Sequence, residues 1–417
     1  MRDWTISTTG MEPISAHTYA ARLAPSLTTP TPRRTCLLTG DHQPGIATLG
    51  AAALTAGHQV ALLPTGPQVL APPGIGLHLQ AGQQPPQPAS VPGDDVRDRW
   101  DLALFSSGST TGRPRGYGFT LDQLDTVTGW YQTIYQATAD TIIVTALPAA
   151  YNFTFIAGGL LASRLGARLH LVDAFPRVLQ EATRLAPAAD RVIVLANPVV
   201  LDQADPSPPP TGNLTIDSGG APLSSTAITD YRTHGIDVRE GYGLTETASL
   251  THFDTTPAAP PGTVGTAMPG VTTIINNDAH PLLQLASPAL ALPLDPAEPA
   301  TGPLLQTTDL GRIDETGRLR LLGRADDHPV NGYWPRDTLD ALGPILGRRC
   351  AMVRHPSPDQ VTVHTLTPLS ATTRTALAEQ AADLLGIPPS HITITAQRTP
   401  LLHSAKLPRW GAHHAPP

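Results

Sequence analysis

Four short stretches of the chain hold residue types that could do chemistry. The first is LLHSAKLPRWG, whose Lys406 is the only lysine among 417 residues; arginine supplies every other fixed side-chain cation. Either one lysine survived by chance in an arginine-biased sequence, or a compact, mobile ammonium is needed where a planar guanidinium fork will not substitute. The second is SSGSTTGRPRG (106–116). Its glycines let the backbone curl so that N–H groups and the hydroxyls of Ser107, Ser109, Thr110 and Thr111, with Gly108 and Gly112 between them, can surround phosphate oxygens. The pattern is not a Walker A loop, which needs GxxxxGK[ST]. Read alone it is equally a structural turn between a strand and a helix, although Arg113 and Arg115 favour an anion.

The third stretch is YGLTET (242–247), following the strand-like IDVRE. A carboxylate beside hydroxyls at a strand end, here Glu246 next to Thr245, can hold Mg²⁺, which prefers hard oxygen ligands and often bridges to substrate phosphates. A solvated turn glutamate has the same sequence. The fourth is TTDLGRIDETGRLRLLGRADD (307–327). Asp309 can accept hydrogen bonds from vicinal hydroxyls such as a ribose, and Arg324 can pair with a phosphate. The bland alternative is a hairpin with charged turns, DETG being a good turn sequence.

The elements that must carry these stretches read as alternating strands and helices. Residues 35–64 run strand, turn, Ala/Leu-rich helix and strand, the βαβ rhythm of an α/β domain. DLALF, TIIVTALP, RLHLV, RVIVLANP, NLTIDSGG and IDVRE follow as strands, with FTFIAGGLLASRLG and a segment around 223–234 as helices. Strands that each close in Gly or Pro argue for a mostly parallel sheet, whose carboxyl ends are where ligands bind. Residues 65–98 read as a Pro/Gly/Gln-rich loop region. The segment 262–323 fits a small antiparallel subdomain. Beyond GRADD, two strands, the helix LSATTRTALAEQAADLLG and the strand HITITAQ predict a small α+β domain. The expected fold is thus α/β: a large N-terminal domain over 1–324, with parallel α/β subdomains and an antiparallel one, and a small mobile α+β domain over 325–417.

Composition removes other classes. The chain is 40% hydrophobic with a net charge of −7, so it can build sizeable cores, and it lacks the basic face of a nucleic-acid binder. The N-terminal MRDWTISTTGME has no apolar signal-peptide core, and no run reaches the length of a membrane span. The two cysteines, Cys36 and Cys350, read as buried free thiols, which suits a reducing cytoplasm. No nucleic-acid or membrane partner is expected.

Together and in this order, the stretches resemble the adenylate-forming superfamily: acyl- and aryl-CoA synthetases, nonribosomal peptide synthetase adenylation domains and beetle luciferase. The resemblance runs from about residue 35 to 410 over five motifs and a closing one. SSGSTTGRPRG is similar to the family's phosphate-binding loop, and DSGGAPLS (217–224) to the segment lining the adenine and acyl pockets. YGLTE resembles its strongest signature, TTDLGR the ribose-binding turn, GRADD the interdomain hinge and PLLHSAKLPR the closing motif. The resemblance implies ATP and Mg²⁺ as cofactors. It places Ser107, Gly108, Ser109, Thr110, Thr111, Gly112 and Arg115 at the phosphates, and Thr110 and Glu246 at the metal. Gly220, Ala221, Tyr242, Gly243, Thr245, Asp309 and Arg324 would surround the nucleotide, and Asp326 would be the hinge. Lys406 would bridge the carboxylate and the α-phosphate during adenylation and leave as the small domain rotates. Lys406, Glu246 and Thr110 are the expected catalytic set.

Departures from the family pattern are concrete. The phosphate loop has one extra residue, Arg115 stands at a frequent lysine, Ala405 replaces the glycine before Lys406, and the region before the loop is short. The stretch LPAAYNFTFIAGG (147–159) faces the acyl pocket in the family and is similar to the ALPMAHNYP of stand-alone 2-hydroxybenzoate-type adenylating enzymes. Tyr151, Asn152 and Phe153, with Gly219 and Gly220, are therefore expected at the acid. A buried amide among aromatic rings calls for a polar ring substituent, unless Asn152 pairs with backbone. The best expectation is activation of an aryl acid with an ortho polar group. Its acceptor would be CoA or a free-standing carrier protein, since the chain carries no carrier domain. A non-thiol nitrogen acceptor, or a degenerate member that only binds nucleotide or acyl ligand as an interaction protein, are the alternatives.

Overall fold

Runs of β-branched and apolar residues such as TIIVT and RVIVLA are buried along nearly their whole length, which requires a sheet covered on both faces. The computed structural model describes residues 3–23, 35–38, 43–62, 77–79, 100–106, 115–204, 212–256, 259–276, 280–294 and 302–396. Within them, these runs lie at the centre of a nine-stranded sheet. Its spatial order is Thr266–Ala267, His252–Phe253, Asp237–Tyr242, Leu214–Ser218, Arg191–Ala196, Thr141–Thr145, Arg168–Leu171, Thr5–Thr8 and Ile14–Ser15. The six strands from Asp237–Tyr242 to Thr5–Thr8 are parallel, and the flanking ones are antiparallel. The strand Thr5–Thr8 was not foreseen from the sequence. It is only four residues of TIST, too short and polar for an apolar run to announce it.

A second sheet orders Leu292–Pro293, Gly116–Phe119, Leu102–Phe105, Gln59–Leu62, Thr35–Leu38 and Leu77–Leu79. The last four are parallel, as the βαβ reading of 35–64 predicted. Leu77–Leu79 falls inside the stretch read as a loop region, whose other residues lie outside those described. One large core joins the two sheets through Leu62, Leu104, Phe119, Phe155, Val194 and the helix Leu121–Tyr135. That helix starts in a capping box: Thr120 accepts from the Gln123 backbone, and the Gln123 side chain accepts from Thr120. Its last two turns deliver Tyr131 and Tyr135, both buried, toward the sheet. The segment expected as one α-helix, FTFIAGGLLASRLG, is a π-helix over Thr154–Leu160 followed by an α-helix over Leu161–Leu165. Gly158 and Gly159 lie in the π turn, and a Cβ at Gly158 would press on Leu169 at 3.2 Å and Leu195 at 3.5 Å. Close approach to the sheet, with wide turns typical of functional segments, replaces regular helix there.

The expected antiparallel subdomain is a four-stranded sheet ordered Thr272–Ile275, Leu282–Ala286, Leu305–Ile313 and Leu319–Arg324. After it, a separate core forms from Val330 onward. The helices Pro335–Leu346 and Ala371–Leu385 pack on the sheet of Ala351–Ser357, Gln360–Thr365 and Ile392–Ala396. Cys350 is a buried free thiol, as expected, and burial pushes its pKa up; the Cys36 side chain lies outside the described residues.

This small unit is fastened to the large one by charge. Arg336 on the helix Pro335–Leu346 reaches Glu240 at 3.3 Å, with side-chain exposures of 2% and 3%. Arg336 also bonds Asp340 at 3.1 Å and the Leu223 carbonyl at 3.0 Å. Asp340 in turn accepts from the Ser225 backbone and from Arg320. A buried charge is tolerable only while its partner remains. Arg336→Met should therefore cost about 3–5 kcal/mol of stability in denaturant unfolding. Adding Glu240→Leu to that variant should recover a large part of the loss.

Candidate active site

The signature turn begins where the strand Asp237–Tyr242 ends. A Cβ at Gly243 would fall on the backbone carbonyl of Ser249, so only glycine fits. The chain then makes a 3₁₀ turn over Thr245–Thr247, pinned by Leu244 N–H donating to Thr247 Oγ1 at 3.0 Å. It passes through Ala248 and Ser249 at φ of 51° and 76°. Two consecutive non-glycine residues in the left-handed region carry strain of the kind that clusters at functional sites. The Thr251 backbone bond to the Tyr242 carbonyl, at 2.7 Å, closes the loop.

Three of the expected nucleotide residues meet beside this turn. Tyr242 donates its hydroxyl to Asp309 Oδ2 at 2.8 Å, and Arg324 forms an ion pair with Asp309. Arg324 also donates to Thr308 Oγ1 at 3.0 Å. Burial, reinforced by the Asp309 charge, holds the Tyr242 phenol well above its ordinary pKa, so it remains a donor. Arg324 is thus spoken for by Asp309 and orients that carboxylate. Glu246 is half-buried at the turn, its carbonyl accepting from Ala291 N–H at 2.9 Å. Among the described residues no cation pairs with its carboxylate. No group of three or more His, Cys, Asp or Glu among them is placed to hold a metal ion. A lone carboxylate fits Mg²⁺ that shares its shell with phosphates and water.

The acid-side residues reach the same turn. Asn152 Nδ2 donates to Thr245 Oγ1 at 2.9 Å, so the amide pairs with the turn rather than with its own backbone. Tyr151 is half-buried, and the buried Phe153 ring lies against Gly219, where a Cβ would stand 3.5 Å away. Phe153 adjoins Tyr131 (ring centroids 6.3 Å), Tyr131 adjoins Tyr135 (5.4 Å) and Tyr135 meets Phe253 edge-on (6.1 Å). Gly220, at φ 82°, and Ala221 are exposed at the rim.

Ser107, Gly108, Ser109, Thr110, Thr111, Gly112 and Lys406 lie outside the described residues. The ends of the expected phosphate loop are described, and they correct one expectation. The loop joins two antiparallel strands, Leu102–Phe105 and Gly116–Phe119, rather than a strand and a helix. Ser106 N–H donates to the Arg115 carbonyl and Arg115 N–H to Ser106 Oγ, clamping the two ends together. A four-residue GYGF strand hidden among glycines gave no apolar run by which to foresee it. Asp326 is exposed and pairs with Arg354 at 2.8 Å. Its neighbour Asp327 is buried and accepts from Arg354, His355 N–H and Arg324 N–H.

Sequence reasoning passed over Asp327, Glu240, Arg336 and Asp217. The signal for Asp217 was a carboxylate inside the apolar strand LTIDS. It is 1% exposed, with Oδ2 accepting from the Tyr135 hydroxyl. Burial raises its pKa to about 7, against the opposing effects of the Tyr135 hydrogen bond and the Arg239 charge.

A model of the AMP-binding enzyme family matches residues 35–284. The chain belongs to that family. The adenylate-forming resemblance of its motifs and its large and small α/β units agree with this membership. The long-chain-fatty-acid–CoA ligase FadD15 of Mycobacterium bovis is 34% identical over 110 residues, which span 26% of this chain and 18% of that ligase. ATP-bound MatB from Rhodopseudomonas palustris has a similar structure, with a TM-score of 0.72, 18% identity and coverage of 95% of this chain and 92% of that one. A benzoate CoA ligase from Burkholderia xenovorans LB400 gives 0.71, 14% identity and coverage of 97% and 95%. At these identities the likeness is one of fold. Among the described residues no helix is long and apolar enough to cross a membrane.

The AMP-binding fold here carries a buried acid with a measurable signature. A carboxyl with a pKa near 7 folded and near its ordinary 3.8 unfolded holds its proton more tightly in the folded chain. Its contribution to stability is therefore present below about pH 4 and is lost as pH rises toward 7. Unfolding midpoints of the wild type and Asp217→Asn should coincide near pH 4, and the variant should be the more stable at pH 8. Equal midpoints at both pH values would contradict a raised pKa.

Proposed function

We propose that the protein uses ATP to activate a carboxylic acid, best an aryl acid with a polar ring substituent, and passes the acyl group to an external thiol, CoA or a free-standing carrier protein. A carboxylate oxygen attacks the α-phosphorus, the bond from that phosphorus to the bridging oxygen breaks, and pyrophosphate leaves. A thiol then attacks the carbonyl carbon of the mixed anhydride and AMP departs. What carries this reading is the junction at Thr245. The side chain of Asn152, from the acid wall, donates to a turn whose other neighbours, Tyr242 and Asp309, form the expected nucleotide wall. Acid and phosphate must meet there.

The roles follow from position. Asp309, held by Tyr242 and Arg324, accepts the ribose hydroxyls as a fixed acceptor that needs no reorganisation. Ser107, Gly108, Ser109, Thr110, Thr111 and Gly112, with Arg115, cradle the phosphates, and Gly220 and Ala221 border the adenine. Glu246 with Thr110 would hold Mg²⁺, which when bound neutralises the phosphate charge. Lys406 bridges the incoming carboxylate and the α-phosphate. The chain divides into a body over 1–324 and a lid over 325–417, with Asp326 as pivot.

The aryl preference is supported by the rings of Phe153, Tyr131, Tyr135 and Phe253, which offer flat apolar faces. The benzoate ligase shares the fold. The test is acid-dependent pyrophosphate release from Mg-ATP across substituted benzoates, short and medium fatty acids and amino acids. Release should be greatest with an aryl acid and should fall about 10²-fold or more in Lys406→Ala. Release that is greatest with fatty acids would overturn the aryl assignment, and release unaffected by Lys406→Ala would overturn the role of the lysine.

A further inference from the structure

Asp217 lies on the acid-side face of its strand. Side chains alternate along a strand, so Asp217 shares a face with Gly219. The parallel register pairing Asp217 with Arg239 places Arg239 and Gly241 of the next strand on that face too. Glu240, on the opposite face, turns to Arg336. Both glycines border the aromatic rings. A Cβ at Gly219 would stand 3.5 Å from Phe153, and one at Gly241 would stand 3.0 Å from Phe253 and 3.5 Å from Asp217 Oδ1. Two side chains are thus absent where the strand faces Phe153 and Phe253.

The carboxylate opposite is half satisfied. Its Oδ2 accepts from Tyr135, whereas Oδ1 is buried with no hydrogen-bond partner. Arg239 does not quench it, because its Nε and Nη2 are engaged by Asp237 at 2.8 and 2.7 Å. An orphaned buried acceptor is costly, and a phenol fixing the other oxygen aims it. Resting on the adenylating function proposed above, we infer that Asp217 is a specificity-determining residue. Its Oδ1 accepts a hydrogen bond from a hydroxyl or amino group on the ring of the aryl acid, while Tyr135 holds the carboxyl in place. The raised pKa fits a carboxyl whose second partner arrives with the substrate.

The experiment compares kcat/KM for pyrophosphate release with benzoate and with each hydroxy- and aminobenzoate isomer, in the full chain with Mg-ATP. The wild type should favour at least one donor-bearing isomer over benzoate by about tenfold or more. In Asp217→Leu that ratio should drop toward one. Asp217→Asn preserves shape, so it carries the test should the leucine variant fail to fold. Its NH₂ in place of Oδ1 meets the substrate donor head-on, and the ratio should drop likewise. A wild type that turns over aryl acids with the same ratio as a folded variant overturns the role of Asp217 and leaves the adenylating function standing. A wild type inert toward every benzoate, with ATP bound, sinks the aryl-acid assignment and this inference with it.

Discussion

Gly243 passes so near the Ser249 carbonyl that no side chain can stand there, and the working geometry depends on that approach. It folds the chain back after Tyr242 tightly enough for the 3₁₀ turn to present Thr245 to Asn152. The strain at Ala248 and Ser249 is tolerated because packing on both sides determines the loop: the Ala291 backbone bonds the Glu246 carbonyl and the Tyr131 hydroxyl lies 3.1 Å from Ser249 Oγ. A looser turn would separate Asn152 from Tyr242 and Asp309, and in the proposed function reactants held even 1 Å out of place would react far more slowly.

Three consecutive residues leading into that turn face three different parts of the molecule. Glu240 neutralises Arg336 of the small unit, Gly241 leaves room beside Asp217, and Tyr242 fixes Asp309. Strand alternation makes this economical. One edge of one strand, held in parallel register with the strand that carries Asp217, sets the spacing between Arg336, Asp217 and Asp309. Well-packed apolar residues could replace the buried Arg336 pair at little loss of net stability. That pair fastens the helix Pro335–Leu346 directly to the strand that leads into the Gly243 turn.

The parallel sheet, the antiparallel unit and the small α+β unit were readable because their strands are apolar runs punctuated by Gly and Pro. Of the short motifs, YGLTE and TTDLGR carry Tyr242 and Asp309, which meet in the structure, and Gly219 of the DSGG run lies against Phe153. What escaped reading did so for physical reasons. Thr5–Thr8 and Gly116–Phe119 are four-residue strands without an apolar run, and pairing with neighbours, not propensity, makes them strands. The π turn at Thr154–Leu160 looks like any helix in sequence. Asp217 and Arg336 were legible only as charges in apolar settings, and their partners, Tyr135 and Glu240, lie 82 and 96 residues away.

In the proposed reaction a carboxylate oxygen becomes bonded to the α-phosphorus of ATP. An aryl acid labelled with ¹⁸O in both carboxylate oxygens tests this most directly, with the AMP formed in turnover read by mass spectrometry. Each AMP should carry one ¹⁸O. Unlabelled AMP, or label appearing in inorganic phosphate with ADP as product, would contradict it.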